Sequence, residues 1–330
     1  MKGEKPIIEA DKEPGAAHPR ETFAFVGHDA EERALAEALT GQRMHHAWLI
    51  AGAKGLGKAT LAYRFARAAL GARRTGPRPL DVEPDDPVAR MIAGHAHPDL
   101  FVLRREVNER GKARREIAVD DARELGGFFA LAPSMGGMRV AIIDAVDDLN
   151  TSSANAILKT LEEPPARSVL LLVCHAPGAA LATIRSRCRR LALRPLTDDG
   201  VRTALGARDD ALVRIAKGRP GRAIALKAQG VDGAKLEAAQ SAFQRGDPRA
   251  ALGALYDQVS GDAFEKLAAT LELAGEWTRA AGVENASESW AETWSALETL
   301  RGEAEGLDMD PRHALARAAG MLERAAGAKR

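Results

Sequence analysis

The run Gly52-Ala53-Lys54-Gly55-Leu56-Gly57-Lys58-Ala59 has the residue types and spacing of a loop that cradles phosphate groups. Gly52, Gly55 and Gly57 let backbone N–H groups close around an anion, and the following helix adds its positive end. Lys58 would reach the terminal phosphates. The full pattern ends in Ser or Thr, whose hydroxyl ligates Mg²⁺. Ala59 holds that position, and Thr60 stands one residue late, rotated by roughly 100° on a helix. A glycine-rich turn that binds no nucleotide is the plain alternative. "VAIIDAVDDLN" is the second half of such a site, an apolar strand ending in Asp144, the type of residue that holds Mg²⁺. Hydrolysing ATPases of this arrangement commonly follow the Asp with a Glu that activates water, but here the residue is Ala145. Two positions of metal and water chemistry are therefore both alanine, which predicts a site that does not hydrolyse ATP efficiently. Asp147 and Asp148 are expected to open a loop or cap a helix.

Other reactive residue types are read more plainly. Arg185, Arg187, Arg189 and Arg190 crowd "TIRSRCRR" and by themselves suggest a solvated or nucleic-acid-facing basic edge. Arg222, in "GRPGRAI", reads as an exposed residue of a helix that follows a turn. Cys174 and Cys188 form no C-x-x-C and have no neighbouring base in sequence, so neither is expected to be a nucleophile. His95 and His97 lack thiolate partners and are expected at the surface or in packing, without zinc.

Strand, glycine loop and helix must follow one another for the loop to work. "HAWLIAG" at 46–52 is a brief apolar run, and "KATLAYRFARAAL" places Leu61, Phe65 and Ala69 on one helical face. A helix is predicted over 31–39. Further strands are predicted near 99–105, over 138–145, over 168–175 and over 188–196, with helices over "VDDARELGGFFALA" and "NTSSANAILKTLEE". The second helix opens on cap-type residues and stops before Pro164-Pro165. The stretch 71–87, rich in Pro, Gly and charge, reads as a loop or insertion, and "VNERGKARRE" as a charged excursion. Alternating strands and helices imply a mostly parallel sheet covered on both faces. After Leu196 strand patterns give way to Ala-rich helical periodicity. The expected organisation is a loose arm at 1–20, an α/β domain at 21–196, a small helical segment at 197–230 and a helical domain at 231–330.

Composition narrows the classes. Hydrophobic residues make up 45% of the 330, enough for a sizeable core, while 4% aromatics argue against an aromatic-lined single-strand channel. A net charge of +1 demands no nucleic acid as partner of the whole chain. Two cysteines fit a reducing compartment. No apolar run of membrane-spanning length occurs, and the first twenty residues lack an apolar signal core.

Taken together, "HHAWLIAG", "HPDL" at 97–100, "ANAILKTLEEPP" at 154–165 and "TIRSRC" at 183–188 resemble the bacterial clamp-loader ATPases, the gamma/tau and delta-prime subunits of DNA polymerase III. The resemblance runs over about 20–225, with the motifs in family order. It implies an α/β P-loop NTPase (AAA+) domain with a parallel sheet, a small helical lid and an all-α collar that oligomerises. Lys58-Ala59 and Asp144-Ala145 resemble the delta-prime type, whose own ATPase activity is absent, rather than the hydrolysing gamma/tau type. By the same resemblance Arg187 is an arginine finger offered in trans to ATP on a neighbouring gamma/tau subunit. Arg222 takes the place of a nucleotide-sensing Arg, with an exposed helical Arg as the alternative. Gly52, Gly55, Gly57, Lys58, Thr60 and Asp144 then form a degenerate nucleotide site that requires no cofactor and leaves room for ATP or ADP held without turnover. Many relatives carry a cysteine-rich zinc module after the loop helix, whereas this sequence has no cysteine there. The implied partners are gamma/tau and delta subunits in a cytoplasmic hetero-pentamer, the sliding clamp, and primer–template DNA through the complex, as part of the DNA polymerase III holoenzyme. His175 departs from the small polar residue usual at the end of the sensor strand. The competing expectation is an autonomous gamma-like ATPase or DNA-remodelling motor in which Thr60 and Asp147 or Asp148 take over the lost roles.

Overall fold

The computed structural model describes residues 9, 11–12, 16–41, 44–107, 114–135, 137–176, 178, 181–258, 263–285, 288–307 and 309–327. The chain divides into two compact units, one of Met1–Ala207 with Ala216–Ile224, the other of Arg208–Ile215 with Ala225–Arg330. The segment expected as a separate lid at 197–230 is shared between them.

The first unit is built on five parallel strands: β1 (Ala47–Ala51), β2 (Leu100–Arg104), β3 (Arg139–Asp144), β4 (Ser168–Cys174) and β5 (Arg189–Ala192), in the spatial order β2-β3-β4-β1-β5. Parallel neighbours need long crossovers, and helices supply them. The α-helices before, between and after the strands are α1 (Asp29–Thr40), α2 (Lys58–Ala69), α3 (Pro87–Ala93), α4 (Val119–Ala130), α5 (Thr151–Glu162), α6 (Ala182–Arg185) and α7 (Asp198–Leu205). The unbroken apolar runs of β1, β3 and β4 follow from burial on both faces. Alternate residues serve opposite layers. Trp48, Ile50, Val140, Ile142, Val169 and Leu171 pack with Leu35, Leu61 and Phe65 of α1 and α2. Leu49, Ile143, Leu170 and Leu172 pack with Leu125 and Phe129 of α4 and Ile157 and Leu161 of α5. In α5, Asn150 caps the N-terminus by accepting the Ser153 N–H at 2.9 Å. β5 lies at the sheet edge, and only Leu191 of its four residues is buried.

The stretch expected as a bare loop at 71–87 is more structured than its composition suggests. Arg74 bridges Val82 antiparallel, and α3 starts at Pro87, where Asp86 accepts the Val88 and Ala89 N–H groups. The Asp-Pro pair was an N-cap and N1 signal inside a Pro-rich run. A buried guanidinium, that of Arg64, and a half-buried one, that of Arg78, tie the loop down. Arg64 reaches Glu32 at 2.7 Å, Asp81 at 2.5 Å and the Phe23 carbonyl, and Arg78 reaches Glu32 at 2.6 Å and the Gly27 carbonyl at 2.7 Å. His97 is buried and accepts the Asp99 N–H, while the half-exposed His95 faces Glu9. The 1–20 arm falls partly outside the described residues. Its described part is held, not loose: Glu9 pairs with Arg20 and Arg104, Asp11 with Arg104, and His18 is fully buried against Tyr63. Residues 108–113 of the charged excursion lie outside the described residues.

The second unit is helical throughout its described residues. It takes in most of α8 (Asp210–Ala216), the later part of α9 (Pro220–Ala228), and then α10 (Gly233–Gln244), α11 (Pro248–Gln258), α12 (Ala263–Asn285), α13 (Glu288–Leu307) and α14 (Pro311–Gly327). Phe243, Trp277 and Trp290 cluster inside it, and Thr270, Thr278 and Thr293 return their hydroxyls to the carbonyls four residues earlier. No helix among the described residues is long and apolar enough to cross a membrane.

Candidate nucleotide-binding site

The glycine loop leaves the end of β1 and feeds α2, the strand–loop–helix order the motif requires. Its glycines are there for close approach. Gly52 has φ 148°, and a Cβ on it would lie 2.6 Å from the Leu193 carbonyl oxygen. Gly52 N–H donates to the Cys174 carbonyl at 3.1 Å, which joins the loop to the end of β4. Gly57 takes φ 87° as the residue before α2. The "GRPGRAI" segment packs on the crown of the loop. Gly221 N–H donates to the Gly55 carbonyl at 2.8 Å, and the Arg222 backbone N is 3.0 Å from where a Gly55 Cβ would be. The structure thus brings Arg222 to the loop.

Lys58 is buried, and its ammonium donates to the Ala53 carbonyl at 2.8 Å, across the loop's own turn. Burial lowers its pKa to about 8, with the Asp144 and Asp147 carboxylates opposing the fall. Burial likewise pushes the Asp144 carboxyl up to about 7, helped by the negative charge of Asp11 and opposed by Lys58. The His175 imidazole is driven down by burial and then by the positive charge of Lys58. Ala59 and Thr60 are half-buried on the first turn of α2. Three glycines, a helix N-terminus and Lys58 fit a phosphate group. A loop alanine without a donor oxygen does not supply the hydroxyl ligand that Mg²⁺ takes at this position.

Asp147 does something the sequence did not disclose. Its carboxylate accepts the His175 N–H at 2.6 Å and the Ala176 N–H at 2.8 Å, so it anchors the chain leaving β4. Asp148 pairs with Arg105 at 3.1 Å. Both acids that could stand in for the missing Glu are thus engaged elsewhere. Neither could have been placed from sequence, since the partners lie more than 25 residues away.

Arg187 lies between α6 and β5. It pairs with Glu162 at 2.7 Å and donates to the Thr183 carbonyl at 2.9 Å and the Ser186 hydroxyl at 3.4 Å, none of them in the glycine loop. Arg189 lies over the Trp48 ring at 4.8 Å. Cys188 is partly buried against the α4–α5 layer, and burial alone pushes its thiol up to about 12, far from a thiolate nucleophile.

The raised Asp144 pKa has a measurable sign. A carboxyl whose folded pKa lies above its unfolded value adds stability that is complete at low pH and lost as pH rises through about 7. Asp144→Asn cannot ionise. The variant's advantage over the parent is expected to be about 1.5 kcal/mol at pH 5 and to grow to about 4 kcal/mol at pH 8.5, several degrees of further separation in melting. Equal melting differences at the two pH values would show that Asp144 ionises freely in the fold.

Comparison with known proteins adds to this geometry. The family described as DNA polymerase III, delta subunit, matches residues 27–197. The delta-prime subunit of DNA polymerase III from Pseudomonas aeruginosa is 37% identical over 158 residues, covering 48% of this chain and 46% of that protein. The tau subunit from Salmonella typhimurium is 34% identical over 186 residues, covering 56% of this chain and 27% of that protein. The chain thus spans about half or less of the length of these relatives. A solved gamma subunit-related protein from Thermotoga maritima superimposes with a TM-score of 0.51 at 17% identity, over 89% of this chain and 99% of that one. At that identity the likeness speaks for the fold, a P-loop α/β domain of AAA+ type followed by helices.

Proposed function

The chain belongs to the family described as DNA polymerase III, delta subunit, and on that footing we propose that it is the delta-prime-type member of a clamp loader. In this reading it does not hydrolyse ATP. It assembles in the cytoplasm with gamma/tau and delta subunits into a hetero-pentamer held by its helical second unit, and it stands as the fixed end of the ring. Arg187 is offered to ATP on the adjacent gamma/tau subunit, where a guanidinium stabilises the charge spread over the transferring phosphoryl group. The assembly opens the sliding clamp and places it on primer–template DNA.

One observation carries the non-hydrolysing part. The site has alanine at both the metal-hydroxyl position, Ala59 in the loop, and the water-activating position, Ala145 after β3, and Lys58 is satisfied by the loop's own Ala53 carbonyl. The autonomous ATPase reading needs replacements, and it loses ground because Asp147 and Asp148 are committed to the His175–Ala176 backbone and to Arg105. The loop itself fits a phosphate, so passive nucleotide binding is compatible with the proposal.

Steady-state ATP turnover tests it, with the purified chain alone and with the chain mixed with gamma/tau and delta. Alone, turnover is expected at background, with or without primed DNA. In the mixture, a stoichiometric complex and DNA-stimulated turnover are expected. Robust DNA-stimulated turnover by the single chain would overturn the proposal.

A further inference from the structure

The in-trans reading of Arg187 leaves open how a long, exposed side chain keeps a fixed pose before any neighbour arrives. An arginine has several rotatable bonds and about 2 kcal/mol of rotamer entropy to lose. A finger that roams must be ordered during the reaction, whereas one already ordered adds nothing to the barrier.

Two elements meet around this guanidinium. Pro164-Pro165 follow the C-terminal end of α5, so the helix stops beside Glu162. Four residues of α6 then deliver Thr183, Ser186 and Arg187 to the same place. Arg187 Nη2 forms an ion pair with Glu162 Oε1 at 2.7 Å, and Nη1 donates to the Thr183 carbonyl at 2.9 Å and to Ser186 Oγ at 3.4 Å. Both hydrogen bonds come from Nη1, while the Nη2 side of the guanidinium faces the carboxylate as an ion pair. The Arg187 side chain is 35% exposed and that of Glu162 is 49% exposed. An ion pair so open to water adds little to folding stability, typically under about 1 kcal/mol. Its effect is on geometry: a carboxylate from one element and a carbonyl from another hold the charged head from two directions.

We propose that Glu162 is a positioning residue for Arg187, holding the guanidinium in the pose from which it engages the phosphates of ATP on the adjacent subunit. The inference rests on the in-trans role proposed above. It is the opposite of a latch. In a latch the carboxylate competes with phosphate, and removing it would speed the reaction. In a positioner, removing it slows the reaction without changing how tightly ATP is held.

The test uses the reconstituted loader and single-turnover hydrolysis as a function of ATP concentration, with Glu162→Gln, Glu162→Ala, Arg187→Ala and the double variant Glu162→Ala/Arg187→Ala in this chain. Both Glu162 variants are expected to lower the single-turnover rate at the site Arg187 faces by about tenfold, with the ATP concentration that half-saturates it unchanged within about twofold. In the Arg187→Ala background, Glu162→Ala should cause no further loss, since it acts only through the guanidinium. Melting of the isolated Glu162 variants should match the parent. If Arg187→Ala slows turnover and the Glu162 variants do not, or if they raise it, positioning is overturned and the in-trans reading survives. If Glu162→Ala costs as much with Ala at 187 as with Arg, its effect is structural and positioning is again overturned. Unchanged turnover with Arg187→Ala would overturn both.

Discussion

Arg187→Ala in this subunit is expected to slow hydrolysis at the one ATP site it faces by about 10³-fold or more, the range set by guanidinium fingers in phosphoryl transfer. The size of the effect comes from timing. The guanidinium meets phosphoryl oxygens whose charge grows in the transition state, so its loss falls on kcat and spares ATP affinity. Arg187→Lys should recover little, because an ammonium cannot match planar, two-point contact with phosphate oxygens. Because gamma/tau sites elsewhere in the ring keep their own fingers, single-turnover hydrolysis resolves the loss better than the steady-state average. The isolated variant should melt like the parent, since Arg187 is partly exposed and its ion pair is open to water. Wild-type single-turnover rates at every site would remove the in-trans role.

The largest effect on stability is expected at Glu32. Its side chain is fully buried on α1, and its two oxygens receive Arg64, itself 2% exposed, and Arg78. Glu32→Gln keeps the shape and removes the charge. Arg64 would then be buried with only Asp81 to compensate it, and breaking one side of such a pair costs about 3 kcal/mol or more. At roughly 2–4 °C per kcal/mol the melting point should fall by about 6–12 °C. Proteolysis within 71–86 should quicken as well, because Arg78 and Asp81 belong to that loop and would lose their anchor. Glu237→Gln, which breaks an exposed pair with Arg214, is the control and should move melting by less than about 2 °C. A Glu32→Gln variant as stable as that control would show that packing alone holds the loop.

The strands were legible because a doubly covered parallel sheet writes itself as continuous apolar runs, and β1, β3 and β4 fall within the segments their sequences predicted. The glycine loop was legible because Gly52 and Gly55 meet backbone at contact distance and Gly57 takes a left-handed φ of 87°, demands that glycine satisfies best. Long-range polar pairing was illegible. On α2, the apolar face of Leu61 and Phe65 could be read from spacing, but the burial of Arg64 and Arg67 could not, since their partners come from 20–32 and 81. For the same reason Asp147 looked like a loop opener and proved to hold the end of β4, and Glu162 drew no notice until Arg187 lay against it. The helix α3 was hidden by composition: a Pro- and Gly-rich stretch reads as loop even when it ends in an Asp-Pro helix start.

The arginine clasp on the 71–86 loop also determines what can undo it. A thiolate–metal clasp fails to oxidants and chelators, because sulfur climbs the oxidation ladder and the ion can be drawn away. Both cysteines of this chain, Cys174 and Cys188, lie outside that loop, and the contacts that hold it are guanidinium to carboxylate and carbonyl. Its weakness is acid. Burial pushes the Asp81 carboxyl up, but the hydrogen bond from Arg64 and the backbone N–H of Arg78 outweigh that and hold it below the usual carboxylate range. Stability of this origin is complete above the unfolded carboxylate pKa and is lost as pH falls through the folded one. Acid is therefore expected to loosen the loop, since protonating Asp81 takes one carboxylate from Arg64.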